Sequence, residues 1–142
     1  MPEILHRIFI EADPETIYKA ITTEQGLKSW WTTDVKVEPK EGTISRFGFP
    51  GHTTVFHMHI DKLIPNKSVQ WTCQGEDDEW KNTKIAFDIK SLENNQSSLT
   101  FRHEKWNSTE GYFADCNTTW GHLMVLLKQC AEGKGSEPYF HD

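Results

Sequence analysis

The sequence predicts an α+β fold: a curved antiparallel sheet set against one long C-terminal helix, with two short helices after the first strand. Three observations predict it. Between Gly42 and Trp106 the apolar residues recur at period two. From Tyr112 to about Glu132 they recur at helical spacing, with no proline and one glycine, Gly121. Before both comes a short apolar strand followed by two helix-start signals.

Ile4 to Ile10 reads as the first strand. Asp13 is a good N-cap and Pro14 a good first helical residue, so "PETIYKAI" starts a helix that runs to about Ile21. Thr23 caps a second helical turn, "EQGLKSW", which ends at the pair Trp30-Trp31. Successive side chains diverge in a helix and in a strand, so the two indoles are expected to divide their work: Trp30 in the scaffold, Trp31 toward a cavity. "GTISRFGFPG" alternates and turns at Pro50-Gly51. "TTVFHMHIDKL" puts Phe56, Met58 and Ile60 inward and Val55, His57 and His59 outward. "SVQWTCQ", "TKIAFDIKSL" and "SSLTFRHEKW" follow, the last two joined by the hairpin "ENNQS". The acidic run "GEDDE" reads as a solvated loop kept polar by charge. Phe113, Asn117, Trp120, Met124, Leu127 and Ala131 share the inner stripe of the last helix, and Gly133 is its stop. "KGSEPYFHD" reads as a loose end. No repeat or linker divides the chain, so residues 1–142 are expected to form one domain. One straight helix cannot cover a curved sheet flush, and the gap is where a cavity is expected.

Composition narrows the function. Charged residues make up 25% of the 142, hydrophobic ones 36%, and the net charge is −6. Without a basic face, nucleic-acid binding is disfavoured. No apolar run approaches the roughly 20 residues of a membrane span, and the start lacks the pattern of a secretory signal. The three cysteines, Cys73, Cys116 and Cys130, have no paired spacing and read as reduced thiols of a cytoplasmic protein. Six Trp and eight Phe supply enough flat apolar surface to line a cavity.

"FIEADPETIYKAITTEQGLKSWW", "SVQWTCQ", "SSLTFRHEKW" and "TTWGHLMVLLKQ", taken in this order, resemble the START-like, or SRPBCC, helix-grip superfamily. The nearer likeness is to its branch related to the activator of heat-shock protein 90 ATPase. Two departures stand out: Thr119 precedes Trp120 where that branch often has glycine, and "GFPGHTTVFHMH" is rich in histidine. The resemblance implies a helix-grip fold. It also implies a role among hydrophobic-ligand binders, polyketide cyclases and chaperone cofactors, since one fold hosts many functions.

The first functional expectation is binding of a small hydrophobic or amphipathic molecule between sheet and helix, without a cofactor. The expected lining is Trp31, Phe47, Phe56, Met58, Trp71, Phe87, Phe101, His103, Phe113, Asn117 and Trp120, with His103 and Asn117 orienting a polar head. Alternatives are a cyclase- or hydrolase-like enzyme with His103 moving protons, and a co-regulator of a chaperone ATPase. His103 on an apolar face is also what a hydrogen-bonded core residue looks like. Arg46 reads first as a solvated strand residue. His57 and His59 stand on one strand face and with His52 or Cys73 could make a metal site, yet the polar outer face of a sheet explains them better. No metal is expected. The acidic run lacks the glycine and alternating ligands of a calcium loop. Cys116 has no evident base and reads as a small buried residue. The chain is expected to be a monomer or homodimer.

Overall fold

Residues 2–49, 55–74, 80–135 and 137–140 are described by the structure, a computed structural model. The elements run β1 (Ile4–Ile10), α1 (Pro14–Thr22), α2 (Glu24–Trp30), β2 (Asp34–Lys36), β3 (Ile44–Gly48), β4 (Val55–Ile64), β5 (Ser68–Gln74), β6 (Lys84–Ser91), β7 (Ser97–Glu104) and α3 (Phe113–Ala131). The seven strands form one sheet in the order β1-β7-β6-β5-β4-β3-β2. Every pairing is antiparallel. This is the α+β helix-grip arrangement. The three-residue β2 has too short an alternation to stand out in sequence. The Pro50-Gly51 turn, His52 and "GEDDE" lie outside the described residues.

Register explains the core. Ile8 faces Leu99, Phe87 faces Phe101, Trp71 faces Ile85 and Met58 faces Cys73. Period-two alternation therefore puts a contiguous apolar surface on one side of the sheet. Trp120, Leu123, Met124, Leu127 and Ala131 are buried on α3, the i, i+3, i+4 spacing of one helical stripe. A bulge between Ile60 and Lys62 interrupts β4, a device that bends a strand. Asn94 and Asn95 both take left-handed φ, 59° and 56°, at the β6–β7 hairpin, as a tight hairpin turn requires.

Caps fix the helices. The Thr16 N–H donates to Asp13 at 2.8 Å, and the Thr16 side chain, followed by this backbone N–H, holds the Asp13 carboxyl below its usual range. The Thr23 hydroxyl donates to the Lys19 carbonyl at 2.8 Å and accepts from the Gly26 N–H at 3.0 Å, so one side chain closes α1 and opens α2. Gly26 is required by close approach: a Cβ there would lie 2.5 Å from the Lys19 carbonyl oxygen and 2.7 Å from the Ala20 Cα. At the end of α3 the Lys134 N–H reaches the Gln129 carbonyl and the Gly133 N–H reaches that of Cys130. With Gly133 at φ +74° this is a Schellman stop.

Two tethers close the molecule. Glu132, with its side chain 3% exposed, accepts from the Glu11 N–H at 2.8 Å and from the Lys128 ammonium at 2.7 Å, and it forms an ion pair with the Lys134 ammonium at 3.0 Å. These partners, the Glu11 N–H foremost, lower its pKa to about 2. Lys128 also donates to the Phe9 carbonyl at 2.6 Å, so the ends of β1 and α3 are tied together. The second tether corrects the expectation of a loose end. The Tyr139 N–H donates to the Trp30 carbonyl, the Phe140 N–H to that of Trp31, and the Thr33 N–H to that of Phe140.

Candidate functional site

Trp30 and Trp31 sit where α2 ends. Trp31 leaves the helical path as its C-cap, with φ −107° and ψ −75°. The two rings stay in contact, 5.8 Å apart and 17° from parallel, but they face different surroundings. Trp30 is fully buried and its Nε1–H donates to the Ala20 carbonyl at 2.9 Å, which locks α2 onto α1. Trp31 reaches the middle of the molecule, with ring centroids 4.6 Å from Phe47, 6.3 Å from Trp71 and 5.1 Å from Trp120.

A cavity of about 420 Å³ opens between this cluster and the start of α3. Its wall is Trp31, Phe49, Phe56, Trp80, Tyr112, Asp115, Cys116, Thr119, Trp120, Leu123 and Phe140. That volume lies in the range of small-molecule sites. Trp31, Phe56 and Trp120 are the residues of the sequence expectation that stand on this wall. Phe47, Met58, Trp71, Phe87 and Phe101 are buried behind it and fill the space where a deeper hollow was expected. Phe113 is half-buried, 5.4 Å from Trp106. Asn117 is exposed. At 3.6 residues per turn, Asp115 and Asn117 lie about 100° to either side of Cys116, and the cavity is on the Asp115 side.

His103 is off the wall. It is fully buried, and each ring nitrogen has a partner. The Trp120 indole N–H donates to Nδ1 at 3.2 Å, and Nε2 lies 2.8 Å from the Thr83 hydroxyl. Because an indole nitrogen can only donate, Nδ1 is the acceptor and Nε2 carries the hydrogen. The Thr83 hydroxyl then donates to the Trp80 carbonyl at 2.6 Å. Burial drives the imidazole pKa down to about 3, so the ring is neutral at physiological pH. It joins α3, β7 and the start of β6, the role of a satisfied core histidine, and it holds Trp120 and Trp80 where they line the cavity.

The other polar residues singled out in the sequence fall elsewhere. Arg46 donates to Asp34 at 2.6 Å. His57 is exposed, and His59 lies 2.6 Å from Asp61 through Nδ1. Cys73 is buried on the opposite, inward face of the sheet, so alternation separates it from that histidine pair. Among the described residues no three His, Cys, Asp or Glu side chains group as metal ligands.

Sequence reasoning missed Phe49, Trp80, Tyr112, Asp115, Thr119, Leu123 and Phe140. Phe49 shares the parity of Phe47, and Leu123 and Thr119 flank the α3 stripe, so those signals were present. Trp80 precedes its strand and Phe140 arrives from the chain end, where no periodicity points inward.

Comparison with protein families matches residues 11–132 to the activator of Hsp90 ATPase homolog 1-like protein family. Among solved structures, the chain is similar to the Aha1 dimer from Colwellia psychrerythraea, with 40% identity and a TM-score of 0.86, covering 95% of this chain and 100% of that one. It is also similar to protein MLL2253 from Mesorhizobium loti, at 14% identity and TM-score 0.81, covering 93% and 98% of the two chains. A third is CalU16 from Micromonospora echinospora, at 18% and 0.70, covering 94% and 76%. The last two likenesses show the fold alone. Comparison with curated proteins gave no match. The fold is that of the START-like superfamily, and within it the match over residues 11–132 shows that the chain belongs to the activator of Hsp90 ATPase homolog 1-like family.

Proposed function

We propose that the protein binds a small hydrophobic or amphipathic molecule in the cavity between the sheet and the first turns of α3. The observation that carries this reading is a space of about 420 Å³ left open beside a core that is otherwise filled by rings. Removing apolar ligand surface from water would drive binding, at roughly 25 cal/mol per Å² before the costs of immobilisation. Trp31, Phe56 and Trp120 are the contacts that sequence and geometry both favour. An enzyme built on the same cavity would need a proton carrier other than His103, whose two nitrogens are engaged inside the core. The free thiols suit a cytoplasmic setting. Native mass spectrometry of freshly purified protein tests the binding reading. A retained small-molecule mass, lost with Trp31→Ala, is expected; a bare protein mass that no added hydrophobic compound shifts would overturn it.

The family match favours a second reading, action on a chaperone ATPase. Adding the protein to an Hsp90 and following ATP turnover tests it: acceleration supports it, an unchanged rate rejects it. The dimer seen for the 40% identical Aha1 leads us to expect a homodimer here too, and sedimentation velocity would return a monomer mass if that were wrong.

A further inference from the structure

We propose that the cavity selects amphipathic cations: a quaternary or protonated amine carried on a compact apolar body. This rests on the reading that the cavity binds a ligand, and it names the ligand's charge.

Seven of the eleven wall residues are aromatic, three of them tryptophans. The three indoles adjoin one another, Trp31 to Trp120 at 5.1 Å and Trp120 to Trp80 at 6.3 Å. Beside them Phe49 meets Phe56 and Phe140 near edge-on, at 69° and 79°. Phe56 and Trp80 stack at 4.2 Å and 8°, and Trp31 stacks on Trp30 and Trp71, so those rings cover part of one another. An aromatic face carries negative partial charge and its edge positive, so the ring surface left toward the cavity favours a cation. The polar edge of Trp120 is spent elsewhere, since its N–H is held by His103 inside the core. That ring has no N–H to offer an anion.

Formal charge points the same way. Asp115 is the charged residue on the described wall, and no Lys, Arg or His stands there. Among the described residues no basic side chain pairs with it. The start of α3 works in the opposite direction, since a helix N-terminus carries about half a positive charge. Asp115 sits in that first turn with a full negative charge and outweighs it. A fatty-acid carboxylate would meet this acid with no counter-charge on the wall. A neutral ligand would leave the rings' electrostatic preference unused.

The test compares three ligands with one tail and different heads: octyltrimethylammonium, 1-octanol and octanoate. Each is titrated calorimetrically below any micelle concentration, into the wild type and into Asp115→Asn. The cation should bind roughly tenfold more tightly than the alcohol, with octanoate weakest. Asp115→Asn should weaken the cation roughly threefold to tenfold, and the alcohol by less. Equal affinity for the alcohol, preference for octanoate, or cation binding untouched by Asp115→Asn overturns the charge assignment while the binding reading stands. Failure of all three ligands to bind overturns both.

Discussion

His103 shows how a residue chosen for its chemistry can turn out to serve packing. Its inward position was legible, because it shares strand parity with Leu99 and Phe101. Its partners were not, because Thr83 and Trp120 come from other elements and meet it only when β6, β7 and α3 assemble. The neutral ring has a measurable consequence. In the unfolded chain the imidazole titrates near 6.5, and in the folded one near 3. As pH falls through that window the unfolded state takes up the proton first, so stability is intact above about pH 6.5 and declines toward pH 3. The slope is about 1.4 kcal/mol per pH unit at most. Urea melts at pH 7.5 and 5.0 should show a decline that is about 2 kcal/mol smaller in His103→Gln. An equal decline in both proteins would mean that the interior accepts a charged ring there. Trp31 makes a second prediction at this scale. Trp31→Ala removes a buried indole and should cost about 3–5 kcal/mol in chemical denaturation, whereas a value under about 1 kcal/mol would place the ring outside the core.

Elements were more legible than their ends. The caps at Asp13, Thr23 and Gly133 are short-range signals, and they mark the helices closely. What sequence could not supply was the rotation of α3 about its axis. The apolar stripe fixes the middle of that helix. Its first turns carry Asp115, Cys116, Asn117 and Thr119, polar or small residues whose pattern does not choose a side. Hence Asn117 was expected on the wall, and Asp115 is the residue found there. The contact of α1 with α2 makes its own prediction. Gly26→Ala forces a methyl against backbone atoms and should cost about 1–3 kcal/mol by thermal or urea unfolding; a neutral outcome would mean that the two helices can move apart freely. The strand-like docking of Tyr139 and Phe140 is testable by amide exchange. Phe140→Ala removes edge-on contacts with Phe49 and Tyr139, each with ring centroids 4.8 Å apart. The Thr33 amide should then exchange about threefold to tenfold faster, with α3 unaffected.

For the molecule as a whole, the fold could be read because it is written in two periods, two for the sheet and 3.6 for the closing helix. The site could be read only in part. A cavity is the space that side chains fail to fill, and that difference depends on volumes contributed by several elements at once. Phe47, Trp71, Phe87 and Phe101 were expected as lining because they point inward, and they do point inward, but together they fill their share of the interior. The open space is displaced toward the start of α3 and the arriving Phe140. One consequence follows from where the tryptophans fall. Three of the chain's six indoles border that space, so the protein carries its own optical reporter. An occupant seated there would change the polarity around Trp31, Trp80 and Trp120 together. Emission excited at the indole band should shift and lose intensity as ligand is added, with no dye attached.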